Sequence, residues 1–385
     1  MRICIFAEPP RVSSCVKIVA KQAINLVKLG HKTFVVIQQT NLNNVLSVYP
    51  ELLQVKIRKL PPVPLLSKIL NTVWKPFSTG KLFGSVSEYK IDFTSIFVHG
   101  AFSHLWLRNE ECERLLFQTT FTPISVLNTY ARSGLKKVIY LHDIPISIMM
   151  AHWKIRGNNL VKLYESWVLS KADDIACQSN YLSNVWLEEF GVKCRVIHPG
   201  CDPSPTFPYP KKDYILSIAR WNTDRRPFFL IDLMKRLRDT DFKLVIGGNW
   251  PNKKLYRQFK HRISKERLQE KVTIVQNLSE QALLELYRGA RCLVYPIRMT
   301  FGFPALEAAA QGTPIVYTYD SGVWEIFRPG VHGLAVVEGD IDSYVESVLK
   351  FEDNDTVKKI GHSIWKKSYE YSWDNHVAKL EKVLE

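Results

Sequence analysis

Glu307 sits in the run 301–327, FGFPALEAAAQGTPIVYTYDSGVWEIF, a single carboxylate just after an aromatic–glycine–aromatic–proline turn. Pro304 suits the first helical position, where a missing N–H costs nothing. Gly312 suits the position just past the helix end, where left-handed backbone is cheap, and 314–317 then reads as a short buried strand. This spacing puts Glu307 in the first helical turn and the amides of Phe301, Gly302 and Phe303 near a helix N-terminus, an anion site. Such a site suits a phosphate-bearing ligand whose hydroxyls the carboxylate can hold. Alone, Glu307 is better explained by the helix dipole, worth about 0.3–1 kcal/mol. A glycine between two phenylalanines adds a point where something flat or charged can come close to the backbone.

Two more groups could act on the same ligand. Arg220 and Arg225 follow the apolar strand 214–219, and two guanidiniums after a strand can clamp a diphosphate with bidentate geometry. The pair in isolation would be a solvated basic loop; its place after a strand points to function. His142, followed by Asp143, ends the strand 137–142. There it serves either to donate to a sugar hydroxyl or hold a reacting group, or as an ordinary hydrogen-bonded strand-end histidine.

These residues need strands ending at one edge of a sheet, and the alternation of elements supplies them. Strand 2–7, helix 15–29 with Val16, Val19, Ala23, Leu26 and Val27 on its apolar side, and strand 33–37 form a strand–helix–strand unit. Further strands are expected at 94–98, 137–142, 174–177 and 195–198, with helices at 159–170 and 181–190. The proline-rich stretch 203–212 reads as a linker. A second series follows, with strands at 214–219, 242–247, 272–275, 292–295, 314–317 and 334–337 and helices at 228–238, 280–289, 305–311 and 341–351. The fold class is therefore α/β, with two Rossmann-like parallel sheets and a ligand crevice between them.

Bulk properties agree. With 385 residues the chain is too long for one ordinary core. Its 46% hydrophobic and 23% charged content fits a soluble globular protein. The formal charge of +15 implies an anionic partner: nucleotide, nucleic acid or membrane surface. No nucleic-acid recognition motif accompanies that charge. The apolar run 3–7, ended by Glu8-Pro9-Pro10, is a buried strand and not a signal peptide. No apolar run approaches the roughly 18 residues that span a bilayer. Seven cysteines without a C-x-x-C pair suit a reducing, cytoplasmic location. The histidines show no metal-ligand spacing. The Asp-x-Asp triplets at 239–241, 340–342 and 353–355 lie in turns or at helix starts, as solvated turn residues do.

In order and spacing the chain resembles the retaining GT-B glycosyltransferases of family 4. The resemblance runs from EPPRVSSCVKIVAKQAINLVKLGHKTFVV through HD at 142–143, ADDIACQSNYL, VIHPGCDP, SIARWNTDRRP and NLSEQALLELYRGARCLVYP to FGFPALEAAAQGTPIVYTYDSGVWEI and SWDNHVAKLEKVL. It implies an acceptor-side domain at 1–203, a nucleotide-sugar domain at 204–371 and a terminal helix, 372–385, crossing back to the first. It also implies a nucleotide-sugar donor, retention at the anomeric carbon, a glycan or lipid-linked acceptor, and neither cofactor nor obligatory metal. Arg220 and Arg225 would hold the diphosphate, Glu307 the ribose and His142 the sugar. The sequence departs from the family pattern in two places. Met299 stands where the family places a first, sugar-touching glutamate, and Ser13-Ser14 where many relatives have Gly-Gly. They motivate the alternative of a catalytically degenerate, nucleotide-binding scaffold.

The segment 57–84 carries Leu65, Leu66, Ile69, Leu70, Val73 and Trp74 at helical spacing, with lysines between. It is either a helix packed on the domain core or an interfacial helix on an anionic membrane. The second reading gives peripheral membrane contact through 59–84. A further basic stretch, 253–267, reads as a solvated helix face.

Overall fold

The computed structural model describes residues 1–6, 14–60, 112–120, 135–152, 158–297, 300–319 and 321–385. The chain divides into two compact units: Met1–Pro199 with Trp373–Glu385, and Gly200–Ser372.

Among its described residues the first unit has seven parallel strands: β1 (Arg2–Phe6), β2 (Lys32–Gln38), β3 (Lys56–Leu60), β4 (Arg114–Phe117), β5 (Lys136–Leu141), β6 (Asp174–Cys177) and β7 (Arg195–Val196). They run in the order β3-β2-β1-β4-β5-β6-β7, with Cys4 of β1 opposite Phe34 of β2 and Leu115 of β4. Strands such as ICIF and VIYL are apolar throughout because both faces of a parallel sheet are covered. β3, KIRKL, differs: it is the edge strand among the described residues, and its charges deter pairing with another chain. That pattern hid it in the sequence. The expected strand at 94–98 lies outside the described residues.

The helix Ser14–Lys28 is more buried than its pattern implied. Ile18, Ala20, Gln22, Ile24 and Asn25 are buried as well as Val16, Val19, Ala23 and Leu26, while Val27 is only half-buried. The helix is covered on two sides, because the terminal helix Trp373–Leu384 packs against it.

The second unit has six parallel strands: β8 (Tyr214–Ile218), β9 (Lys243–Gly247), β10 (Val272–Val275), β11 (Cys292–Tyr295), β12 (Ile315–Thr318) and β13 (Leu334–Val336). Their order is β10-β9-β8-β11-β12-β13, and apolar cores fill both faces. The helix Lys253–Lys265 buries Leu255, Phe259 and Ile263 and turns Lys253, Lys254, Arg257 and Lys260 to solvent. The proline-rich stretch is packed against this unit. Ser204 donates its N–H to Ala310 O (2.9 Å), and its carbonyl accepts from Trp365 Nε1 (2.9 Å) and Tyr369 Oη (2.8 Å). Lys211 Nζ donates to Arg288 O (2.9 Å), Gln311 O (2.8 Å) and Thr313 Oγ1 (3.1 Å). Two of those acceptors are carbonyls at helix C-termini, where a cation is favoured.

Candidate active site

In the second unit, β8 and β11 lie side by side while the chain after each leads to opposite halves of the sheet. Their carboxyl ends form the switch point where open α/β sheets bind ligands. The loop after β8 is anchored by Trp221. Its N–H donates to Asn249 O (2.9 Å), its Nε1 to Gly247 O (2.9 Å), and its ring stacks on Trp250 at 5.6 Å. This leaves the preceding Arg220 exposed. Asn222 caps the turn Thr223–Arg225 by accepting from Arg225 N at 3.1 Å, which fixes the backbone of Arg225. The neighbouring Arg226 pairs instead with Glu338, at 3.5 Å.

The loop after β11 ends at Gly302, whose φ of 94° is left-handed backbone, and the helix runs Phe303–Ala310. No side chain caps its N-terminus. Pro304 is therefore the second helical residue rather than the first, still within the turn whose N–H groups lack intrahelical partners. Glu307 is the fifth, beyond the first turn where the sequence spacing placed it. The start moves because the left-handed glycine lets the helix begin immediately after the loop. Gly312 has φ 64° just past the helix end, as expected.

Glu307 Oε2 accepts from Tyr287 Oη at 2.9 Å. Tyr287 is fully buried, and burial raises its phenol pKa well above the ordinary value, with the Glu307 charge adding to this. Tyr295, which ends β11, has its pKa raised by burial. Arg225 opposes that shift and Glu307 adds to it, so both charges act on this strand end. Tyr287 lies inside one of the family-like motifs, yet a helical tyrosine gives no sign in sequence that it supports a carboxylate. Tyr319 and Trp324, exposed and 6.2 Å apart after β12, carry no sequence signal either.

Gly322 holds the 300–302 loop in place. A Cβ there would lie 2.1 Å from Thr300 O and 2.5 Å from Phe301 Cα, both backbone. Gly322→Ala is therefore expected to displace the loop and weaken nucleotide binding by about tenfold or more. Calorimetric titration with a nucleoside diphosphate checks this; unchanged affinity would show that the loop takes no part in binding.

In the first unit His142 follows β5 and is 6% exposed. Its Nε2 bonds Gln118 Oε1 at 2.7 Å, its carbonyl accepts from Gln178 Nε2, and Trp186 Nε1 donates to Asp143 O at 3.1 Å. The imidazole is thus engaged through Nε2, while Nδ1 is buried and without a hydrogen-bond partner. Burial lowers its pKa to about 3, with a further contribution from His376, so the ring is neutral near pH 7. Gln118 and Gln22 are fully buried. Isolated glutamines in apolar runs carry no sequence signal of a shared network, so neither was expected at the site.

Ser14 begins the first helix, and Ser13 and Met299 lie outside the described residues. So do residues 61–84 of the basic, apolar segment; Lys59 belongs to β3. Asp340 and Asp353 cap the helices Ile341–Leu349 and Asn354–Ser368. Among the described residues no cluster of three or more His, Cys, Asp or Glu could hold a metal ion, and no helix is long and apolar enough to cross a membrane. None of the seven cysteines is in a disulfide.

Residues 203–368 match the family model for glycosyl transferases group 1. Mannosylfructose-phosphate synthase of Agrobacterium fabrum is 26% identical over 195 residues, which is 44% of this chain and 43% of that protein. The chain thus matches less than half the length of this relative. A glycosyltransferase from Rickettsia africae has a similar structure, with a TM-score of 0.75 at 16% identity, over 100% of this chain and 97% of that one. The Anabaena HepE protein, in a crystal structure with UDP-glucose, gives a TM-score of 0.74 at 13% identity, over 100% of both chains. Both structures share its GT-B architecture of two Rossmann-like parallel-sheet units. The match to the group 1 glycosyl transferases therefore falls on residues 203–368, nearly all of the second unit.

Proposed function

We propose that the protein is a glycosyltransferase that moves a sugar from a nucleotide-sugar donor to a glycan or lipid-linked acceptor, with retention at the anomeric carbon. The observation that carries this is that Arg220 and Arg225 follow β8 while the helix Phe303–Ala310, with Glu307, follows β11, the strand paired with β8. The family match over 203–368 supports it, as does a similar fold crystallised with UDP-glucose.

In this reading the bond from the anomeric carbon to the diphosphate oxygen breaks, and negative charge collects on the departing nucleoside diphosphate. Arg220 and Arg225 stabilise that charge together with the helix N-terminus. Glu307, held by Tyr287, accepts from the ribose hydroxyls. His142 binds a hydroxyl of the donor sugar, and the acceptor hydroxyl attacks from the leaving-group face, passing its proton to the departing diphosphate oxygen as the new bond to the anomeric carbon forms. The two guanidiniums do what a divalent ion does in other transferases, so no metal is required. We assign the protein to the cytoplasmic side of a membrane, with peripheral contact through 59–84.

A thermal-shift screen of UDP-, GDP- and ADP-sugars, with and without EDTA, tests this reading. One base should stabilise the protein by about 2.7 kcal/mol at a hundredfold excess over its Kd, with no loss in EDTA. The stabilising donor should then give an α-linked product from an α-linked donor, read by NMR. Stabilisation by no nucleotide would sink the proposal, and binding without turnover would leave a nucleotide-binding scaffold.

A further inference from the structure

We propose that His376, Gln22 and Gln118 are positioning residues that set His142 as a hydrogen-bond acceptor, so that it takes a ligand hydroxyl through Nδ1 and donates nothing to it. This rests on the reading of His142 as a sugar-binding residue and adds the direction of that bond.

The four side chains form one buried line in the first unit, and one end has a fixed polarity. The carbonyl of His198 can only accept, so His376 Nδ1, 2.8 Å away, carries the proton. His376 is 2% exposed, and burial lowers its pKa to about 4, so its Nε2 is a bare lone pair near neutral pH. Gln22 Nε2, 3.0 Å from it, must therefore donate. The Gln22 amide then presents Oε1 to Gln118 Nε2 at 2.9 Å, and Gln118 presents Oε1 to His142 Nε2 at 2.7 Å. Each link has only one consistent direction, so the proton of His142 lies on Nε2 and Nδ1 is a lone pair. Amide orientation and imidazole tautomer are normally inferred from their surroundings; here a single backbone carbonyl determines all four.

The surroundings keep the line intact. Tyr140 meets both rings edge-on, at 5.0 Å from His142 and 5.7 Å from His376. Its own hydroxyl is committed to Ile197 O at 2.7 Å, so it does not compete for either imidazole. Gln178 and Trp186 hold the backbone of His142 and Asp143. The outcome is one orphaned acceptor, Nδ1 of His142. Buried polar atoms without partners are few in native proteins, and this one ends a line that fixes its character. A sugar hydroxyl supplies the missing donor.

Full-length protein carrying 15N-labelled histidine tests the assignment directly, because ring proton–nitrogen correlations distinguish a protonated nitrogen from a lone pair. His142→Asn identifies the His142 signals by their loss. Near neutral pH, His142 should show its proton on Nε2 and His376 on Nδ1. His376→Gln keeps a donor at one end and an acceptor at the other, so the His142 signature should persist. His376→Leu removes the anchor, and Gln22→Met cuts the line in its middle; each should give His142 a mixed or Nδ1-protonated signature. Both disrupting variants should raise the donor KM about tenfold, the equivalent of one hydrogen bond, and His376→Gln should restore it. An Nδ1-protonated or charged His142 in the parent protein would overturn the proposal, as would an unchanged signature in whichever disrupting variant folds. The tautomer measurements need no substrate, so absence of turnover would count against the transferase reading alone.

Discussion

Replacing Arg220 and Arg225 together by alanine is expected to lower sugar transfer by about a thousandfold or more while leaving the fold intact. Removing a single preorganised donor to developing charge costs about 10²–10³ in kcat, and here two go at once. The loop should survive, because its anchors lie elsewhere: in the hydrogen bonds of Trp221 to Gly247 and Asn249, its stacking on Trp250, and the cap from Asn222. Arg220 is exposed and Arg225 half-buried, so neither fills the core. Lysine at both positions should recover only part of the rate, since a point charge cannot reproduce the bidentate fork. Steady-state kinetics beside a thermal melt checks this. A double variant that melts normally and transfers at the parent rate would remove both arginines from the mechanism.

Acid should destabilise the first unit well above the pH at which exposed carboxylates titrate. His142 and His376 have pKa values lowered to about 3 and about 4 from an ordinary 6.5, in both cases mainly through burial. As pH falls below 6.5 the unfolded chain takes up these protons and the folded chain does not, so stability drops with pH throughout that window. Each histidine should cost roughly 3 kcal/mol by pH 4, at about 1.4 kcal/mol for every pH unit below 6.5. Glu165 works the other way above its ordinary value. Burial raises its pKa although Ser147 and Thr120 bond it, so its protonation favours the folded state. The histidine contribution is isolated by comparison with His376→Gln, which cannot titrate. Denaturant melts from pH 7 to pH 4 should show the variant losing distinctly less stability than the parent. Parallel losses would mean that His376 is protonated in the folded protein.

Strands of the second unit were legible in the sequence to within a residue or so, because buried parallel strands read as short apolar runs between turns. β3 was not, since an edge strand carrying Lys56, Arg58 and Lys59 has no such run. Nor was β4, RLLF, which is four residues long. Strand order was not legible either. It places the loop carrying Arg220 beside the loop carrying Gly302, although some 80 residues separate them, and only sheet pairing brings them together.

The sequence by itself determined which chemical groups this protein has: two arginines after one strand, a glycine-started helix with Glu307 after another, a histidine at a strand end, and a motif order that resembles that of the glycosyl transferases. Tertiary structure decided how those groups are held and which way they act. Glu307 is held by Tyr287, and Arg226 is turned away from Arg225 to Glu338. The His142 ring is engaged through Nε2 by Gln118, in a line that Gln22 and His376 complete, and this leaves Nδ1 as its unpartnered nitrogen. Gln22 and His376 are 354 positions apart in the chain. A side chain's type sets what it can exchange, but the direction of a hydrogen bond depends on its partner, and only the folded core provides these partners.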